Sequence, residues 1–570
     1  MQLHHRIEDN HREIATSHQS FVMTRDRLQG LIICFIGVGA FVVLNIVPVW
    51  GDYFFNCGEL AYAARLAASA QHALLDGDFP LQYANDYDIT LRPIFLYYTP
   101  TYYGIAGLTQ IITGLEPYRV MLILIAVMAL SATCGTYFTT RLLGGGPVMS
   151  GLAAATLPIS PYFMTDIFAR GAFAELSAWA VFPWMAYCFI KFCCRPQMQS
   201  GLLFILTTGL LIICHKIFFP WAVIWLALLG LFLFGFRRML ALSPHFILCG
   251  SAALGLTAPY WANAMLLGNS LNIVNTFNDV AFWPLTANLS VFSPLSYLHP
   301  SLVGGYKNFN LQLGPLIVLS AVASLFYFRN GQIRALVLTT AVIALFVCSF
   351  FNAFTFWKYL PVALLSIQFP YRLLMFATTF GTIAAGLVLT AVARDSRVYA
   401  YGTFCAALAL LFASFWWRAD ISNTHVSQFY NADFANGGVD YFENDGPKPA
   451  VLNQAPLPRS LINASGNSVT AAISTIHGGS VALPVQYSRH LTTLVNGKPS
   501  DISNSNGLVS IVLPAGTSNI YVRRDEPVGF VTGLGIAVAL IMALGFLLRR
   551  PSKQKLSEAG GSSDELPASS

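Results

Sequence analysis

Residues 51–80 read "GDYFFNCGELAYAARLAASAQHALLDGDFP", and with the residues up to Thr99 they hold Asp52, Glu59, Asp76, Asp78, Asp86 and Asp88 in a chain that is only 10% charged. Directly before them, Leu28 to Trp50 is an uncharged apolar run. A run of that length matches the roughly 30 Å of hydrocarbon that a helix must cross. The chain therefore begins as a membrane span followed by a loop in which charge is suddenly permitted.

Composition carries the same reading over the whole sequence. With 55% hydrophobic residues, 14% aromatics and a mean hydropathy of +0.59, the chain is excluded from the soluble globular class. Lipid cannot satisfy an open backbone, so the apolar runs are expected as helices. The first 27 residues, with four histidines and with Arg25 and Arg27 before the apolar run, read as a cytoplasmic N-terminal tail. Leu28–Trp50 lacks a small-x-small cleavage site and reads as a retained first span, not a signal peptide.

Further spans are expected near 117–139, 147–165, 172–190, 201–214, 217–235, 244–267, 312–328, 335–351, 373–393, 399–417 and 528–548, about twelve in all with the first. Arg141, Lys191, Arg195, Arg237, Arg238, Arg329, Arg334, Arg394 and Arg397 fall on alternate short loops, which the positive-inside rule places in the cytoplasm. Residues 51–116 then form an outer loop. Within it, "PIFLYYTPTYYGIAGLTQIITG" at Pro93–Gly114 has tyrosines and prolines that suit an interface, and it reads as a re-entrant or interfacial helix in preference to a span.

Residues 419–527 change character, with alternating stretches such as "SVALPVQYS" and "GLVSIVLPAG" between turn signals. They predict a small extracytoplasmic β-sandwich, with a hairpin turn at "NGKP", Asn496–Pro499. The fold class is thus an all-α polytopic membrane protein carrying a β domain near its C-terminus. A last span at 528–548 and a Ser/Gly-rich disordered cytoplasmic tail at 549–570 complete it. The ten cysteines follow neither metal-ligand nor disulfide spacing.

Between residues 28 and 420 every acid except Asp395 maps to the outer face, together with Arg65, Arg92, Arg119, Arg170, Lys216, Lys307, Lys358, Arg372 and Arg418. Cations on that face run against the usual bias and point to an anionic ligand such as a lipid phosphate, or to pairing with acids and headgroups.

The order "LLDGDFP" at Leu74–Pro80, "YTPTYYGIAGL" at Tyr98–Leu108, "RLLGG" at Arg141–Gly145, "LPISPYFMTDIFARGAFAELSAW" at Leu157–Trp179 and "SIQFPYRLLMF" at Ser366–Phe376 resembles the GT-C superfamily of polyprenyl-phosphate-sugar-dependent glycosyltransferases. More narrowly it is similar to the bacterial membrane proteins labelled "6-pyruvoyl-tetrahydropterin synthase-related" and to YfhO-like proteins. The pterin label is not matched by a soluble fold or a histidine triad. The resemblance implies a bacterial inner-membrane enzyme with a periplasmic active site. Its partners would be a polyprenyl-phosphate-linked sugar donor, a glycan, lipid or protein acceptor, and membrane lipids, with no nucleic acid.

The resemblance also implies roles. Asp52 matches the acid just beyond the first span, where a carboxylate takes the acceptor hydroxyl's proton; alternatively it caps a helix at the interface. Glu59, seven residues on, would position hydroxyls from the same helix face. In "TDIFARGAFAE", Asp166 or Glu175 would stand near the reacting sugar and Arg170 on the donor phosphate, although Asp166 and Arg170 are also spaced as an ion pair. Lys216, next to His215, would neutralise the leaving phosphate unless the two only cap a turn. Arg372 would bind phosphate through its guanidinium fork or snorkel to headgroups. Asp76-Gly77-Asp78 resembles a divalent-metal motif but reads better as a turn, so no metal site is assigned. No Walker or dinucleotide fingerprint occurs. The rival function is a transporter or flippase of lipid-linked glycans, which predicts charges at mid-helix and repeated halves; neither is apparent.

Overall fold

The structure, a computed structural model, describes residues 25–51, 53–55, 60–79, 81–84, 91, 94–97, 100–262, 311–352, 364, 370–413, 421–425, 461–465, 467–487, 491–505, 508–524 and 530–549. Asp52, Glu59, Asp86, Asp88, Arg92, Lys307, Lys358 and Arg418 lie outside these residues, as does the C-terminal tail.

The chain is mostly helical. Among the described residues, six helices are long and apolar enough to cross a membrane: Leu28–Val49, Pro117–Leu142, Phe173–Cys194, Phe236–Leu256, Gly331–Cys348 and Pro370–Asp395. Shorter apolar helices run over Met198–Cys214, Phe218–Phe234, Pro315–Tyr327 and Thr532–Leu548. Pro370–Asp395 is the most enclosed, with 94% of its apolar window buried.

Glycines set how closely the helices approach. A Cβ on Gly151 would stand 2.6 Å from the carbonyl oxygen of Gly30, so Pro147–Ala155 crosses the first helix backbone to backbone. Hydroxyls add polar links: Ser131 donates to the Ala180 carbonyl at 2.9 Å and Thr139 to that of Pro183 at 3.0 Å, tying Pro117–Leu142 to Phe173–Cys194.

Two expectations are corrected. The continuous span at 147–165 is instead a helix over Pro147–Ala155, a turn, a short helix Pro161–Met164 and a π-helical turn Thr165–Arg170. Pro158 and Pro161 account for the break, since each removes a backbone donor. The span expected near 244–267 begins earlier, at Phe236, after the single residue Gly235. Gly235 has φ +79°, a left-handed geometry that costs glycine nothing. Arg237 and Arg238 therefore sit in a first helical turn, not on a loop, and Arg238 donates to the Cys193 carbonyl at 3.0 Å.

In the first loop, Leu60–Leu75 forms a helix that packs on Pro100–Thr113, where Gln110 Nε2 donates to the Ala67 carbonyl at 2.8 Å. At about 1.5 Å per residue the latter helix is too short to cross the bilayer alone. Asp76-Gly77-Asp78 is a turn: Gly77 has φ +85°, and the Asp78 carboxylate accepts the Gln82 and Tyr83 amides at 2.9 and 2.8 Å.

The C-terminal region has a five-stranded sheet in the order β3-β4-β10-β6-β7 and a three-stranded sheet β5-β9-β8. Their strands are β3 Ile462–Ser465, β4 Ser468–Thr475, β5 Gly479–Gln486, β6 Leu491–Val495, β7 Lys498–Pro499, β8 Ile502–Ser505, β9 Leu508–Leu513 and β10 Gly516–Arg524. Ile473, Ile520 and Val522 of one sheet share a core with Leu483, Val509 and Ile511 of the other. The expected hairpin is present, with Asn496 (φ +54°) and Gly497 (φ +77°) joining β6 to β7.

The first loop is tied to this region. Leu91 is fully buried in the β core, and the Arg524 guanidinium lies 4.9 Å over the Tyr83 ring. Strand β1, Tyr53–Phe55, pairs antiparallel with β2, Ile421–His425, with Tyr53 opposite His425.

Candidate functional site

The segment "TDIFARGAFAE" builds a buried ionic cluster. Asp166 and Arg170 lie at either end of the π-helical turn, one turn apart, and form an ion pair. Gly171 then adopts φ +77°, and the chain re-enters a helix at Phe173. That reversal brings Glu175 back onto Arg170, a contact that five residues of continuous helix would not make. Arg170 meets the Glu175 carboxylate through both terminal nitrogens, at 2.9 and 2.8 Å.

Arg372 enters from the start of Pro370–Asp395. Its Nε lies 2.7 Å from Glu175 Oε1, an ion-pair distance with the N–H directed off the oxygen. The four groups are deeply enclosed: Asp166 is 0% exposed, Glu175 2%, and Arg170 and Arg372 8% each. Two carboxyl groups and two guanidiniums meet here, and such mutual contacts are what offset desolvation in a buried cluster.

An aromatic shell surrounds it. Trp179 Nε1 donates to Asp166 Oδ2 at 3.1 Å, and Arg170 lies 5.2 Å over the Tyr371 ring. The Tyr162 hydroxyl is buried without a hydrogen-bond partner among the described residues. Burial pushes the Asp166 carboxyl well above its usual range, the Glu175 charge adds to this, and Arg170 opposes it. Glu175 is held by both guanidiniums and Asp166 by Arg170 alone, which favours the charged form at Glu175.

His215 and Lys216 occupy the turn between Met198–Cys214 and Phe218–Phe234, and both are half-buried. Burial holds the His215 imidazole down to about 3, opposed by Glu175 and reinforced by Arg372 and Arg170. Its Nδ1 is buried with no partner among the described residues. Burial also brings the Lys216 amine down to about 7, and Lys216 donates to the Leu96 carbonyl of the first loop. The cluster thus sits where the ends of several apolar helices meet the first loop.

Of the residues singled out in the sequence, Asp166, Arg170, Glu175 and Arg372 come into direct contact, with His215 and Lys216 beside them; Asp52 and Glu59 lie outside the described residues. Tyr371, Tyr162 and Trp179 were missed. Trp179 lies one helical turn beyond Glu175 and was within reach of a helical-face argument, whereas Tyr371, adjoining Arg372 in "FPYRLL", shares no face with it. Among the described residues no group of His, Cys, Asp and Glu could hold a metal ion.

No protein-family model matches the chain, and no curated protein matches it. Two crystal structures of the Archaeoglobus fulgidus oligosaccharyltransferase align with it. The apo form does so at 16% identity and a TM-score of 0.42, covering 70% of this chain and 55% of the other. The complex with Zn and sulfate does so at 14% identity and a TM-score of 0.44, covering 74% and 58%. The chain thus spans somewhat over half the length of the oligosaccharyltransferase it aligns with. At these values the likeness assigns neither residue roles nor an activity to this chain.

Proposed function

We propose that the protein is a GT-C-type membrane glycosyltransferase, with about twelve spans and a β-sandwich, that moves a sugar from a polyprenyl-phosphate carrier to a glycan, lipid or protein acceptor on the periplasmic side of a bacterial inner membrane. The observation that carries this reading is the convergence of Arg170, Glu175 and Arg372 from two distant segments into one buried cluster beside His215. Ionisable groups at the rim of a hydrocarbon layer are costly, and function is the usual reason they persist.

The acceptor hydroxyl attacks the anomeric carbon, its proton passes to a carboxylate, and the sugar–phosphate C–O bond breaks with its electron pair leaving on the phosphate. Asp52 is assigned as the base and Glu59 as a hydroxyl-positioning group. Arg372 and Lys216 are assigned to the phosphate. Arg170 has both terminal nitrogens on carboxylates, so it is placed behind Arg372, held by Asp166 and Glu175, and acts on the donor through them. His215 stays neutral and accepts or donates at a sugar hydroxyl.

Reconstitution with a panel of polyprenyl-phosphate sugars tests this. Sugar transfer by wild type and not by Asp52→Asn supports it. Movement of labelled lipid between leaflets with no sugar–phosphate cleavage favours the flippase reading.

A further inference from the structure

The β region carries a cavity that shares no residue with the ionic cluster. It is a groove of about 510 Å³ on the five-stranded sheet, reached by β3, β4, β6 and β10. Its volume falls within the roughly 300–1,000 Å³ of small-ligand sites. Strand alternation explains it: Ile462, Val469, Ala471, Ile520 and Val522 turn into the β core, so the intervening residues face outward.

One row across that face is Asn463, Thr470, Tyr521 and Leu494, each opposite the next in the strand pairing. The adjoining row places Ala472 opposite Asn519. Asn463, Thr470, Ala472 and Asn519 are exposed and Tyr521 is half-buried. The small Ala472 leaves the floor of the groove low, and Tyr521 offers a ring beside two carboxamides and a hydroxyl. No lining residue among those described is charged.

The geometry points to a binding site for neutral carbohydrate. A sugar ring has an apolar C–H face and a rim of hydroxyls. Tyr521 supplies an aromatic surface for the first, and Asn463, Asn519 and Thr470 supply paired donors and acceptors for the second. The lining itself offers a charged glycan or phosphate no counter-charge; the neighbouring cation is Arg523, exposed on the same face in the row next to Tyr521. The site can present an acceptor from the far face of the sheet: Tyr521 faces outward, whereas Arg524 on the same strand turns inward and stacks its guanidinium on Tyr83 of the first loop. A glycan held on this strand is thereby fixed relative to the loop next to which transfer is proposed. That last role rests on the transferase reading; the binding site does not.

The experiment is saturation-transfer NMR and titration on the full-length protein in nanodiscs, with no donor present. The probes are neutral oligosaccharides of hexose and N-acetylhexosamine, against a uronic-acid oligosaccharide. Saturation of sugar C–H protons by the neutral probes is expected. Tyr521→Ala should weaken binding about tenfold and Tyr521→Phe should leave it within about threefold. Ala472→Arg, at an exposed sheet position, fills the groove and should abolish binding while the thermal midpoint holds. Equal binding by wild type and Ala472→Arg, binding of the acidic probe alone, or no binding of any neutral probe overturns the site. Binding that persists in a protein shown to transfer no sugar overturns the transferase reading and leaves the site standing.

Discussion

Arg372 Nε stands 2.7 Å from Glu175 Oε1, at a point where the most enclosed span meets the start of Phe173–Cys194. Arg170 donates to both oxygens of the same carboxylate, sharing Oε1 with Arg372. Glu175 is therefore shared by two guanidiniums, whereas Asp166 is contacted by only one of them and by the Trp179 indole.

That asymmetry predicts unequal costs for two isosteric changes. Glu175→Gln leaves two buried guanidiniums facing each other and should destabilise by about 3–5 kcal/mol. Asp166→Asn keeps a polar partner at a carboxyl that burial already drives toward its neutral form, and should cost about 1 kcal/mol. Thermal unfolding of both variants in the same detergent checks the order, and equal losses would contradict the assignment of charge to Glu175.

Lys216 gives a pH signature. Its amine is lowered from 10.5 to about 7 by burial. Below that value both the folded and unfolded chains hold the proton, and the folded chain carries the full cost of the buried charge. Between about 7 and 10.5 the folded chain has released a proton that the unfolded chain still binds, so stability rises with pH. Measured from about pH 6 to 10, the thermal stability of wild type should gain on that of Lys216→Met. A pH-independent difference would show that the amine titrates normally. His215, lowered from 6.5 to about 3, adds a rise of its own until the unfolded chain's imidazole has released its proton at about pH 7, but it does so in both proteins and cancels from their difference.

Leu91 predicts how the first loop is anchored. It is buried in the β core at φ +54°, a conformation that costs an L-residue about 1–2 kcal/mol. Leu91→Ala should destabilise by about 2–5 kcal/mol through the cavity it leaves. Leu91→Gly removes the same side chain but accepts the backbone angle, so it should be no worse than Leu91→Ala. Limited proteolysis of the first loop should accelerate in both; unchanged cleavage would mean the loop is held elsewhere.

Apolar run length and turn chemistry made much of the architecture legible. The long helices, the β region, the Asn496-Gly497 hairpin and the Asp76-Gly77-Asp78 turn follow from local rules. The broken segment at 147–170 does not, because the apolar neighbours of Pro158 and Pro161 keep the average hydropathy high while the backbone loses donors at both prolines. In the site, the i,i+4 spacing of Asp166 and Arg170 announced their pairing. The Glu175–Arg372 contact joins segments far apart in sequence, and only helix packing brings them together. The docking of Leu91 and Tyr83 on the β region was equally hidden, since nothing local marks a loop residue as part of another domain's core.

The central claim is that the cluster around Glu175 and Arg372 serves a lipid-phosphate sugar donor. The direct measurement is the release of free polyprenyl phosphate from a radiolabelled polyprenyl-phosphate sugar in proteoliposomes containing wild type or Arg372→Lys. Arg372→Lys keeps the charge but loses the guanidinium fork. The account predicts time-dependent cleavage by wild type and a fall of about 10²-fold in kcat/KM for Arg372→Lys, with its thermal midpoint close to wild type. Cleavage by Arg372→Lys at the wild-type rate, or wild type that carries the intact lipid across the bilayer and never breaks its sugar–phosphate bond, would contradict it.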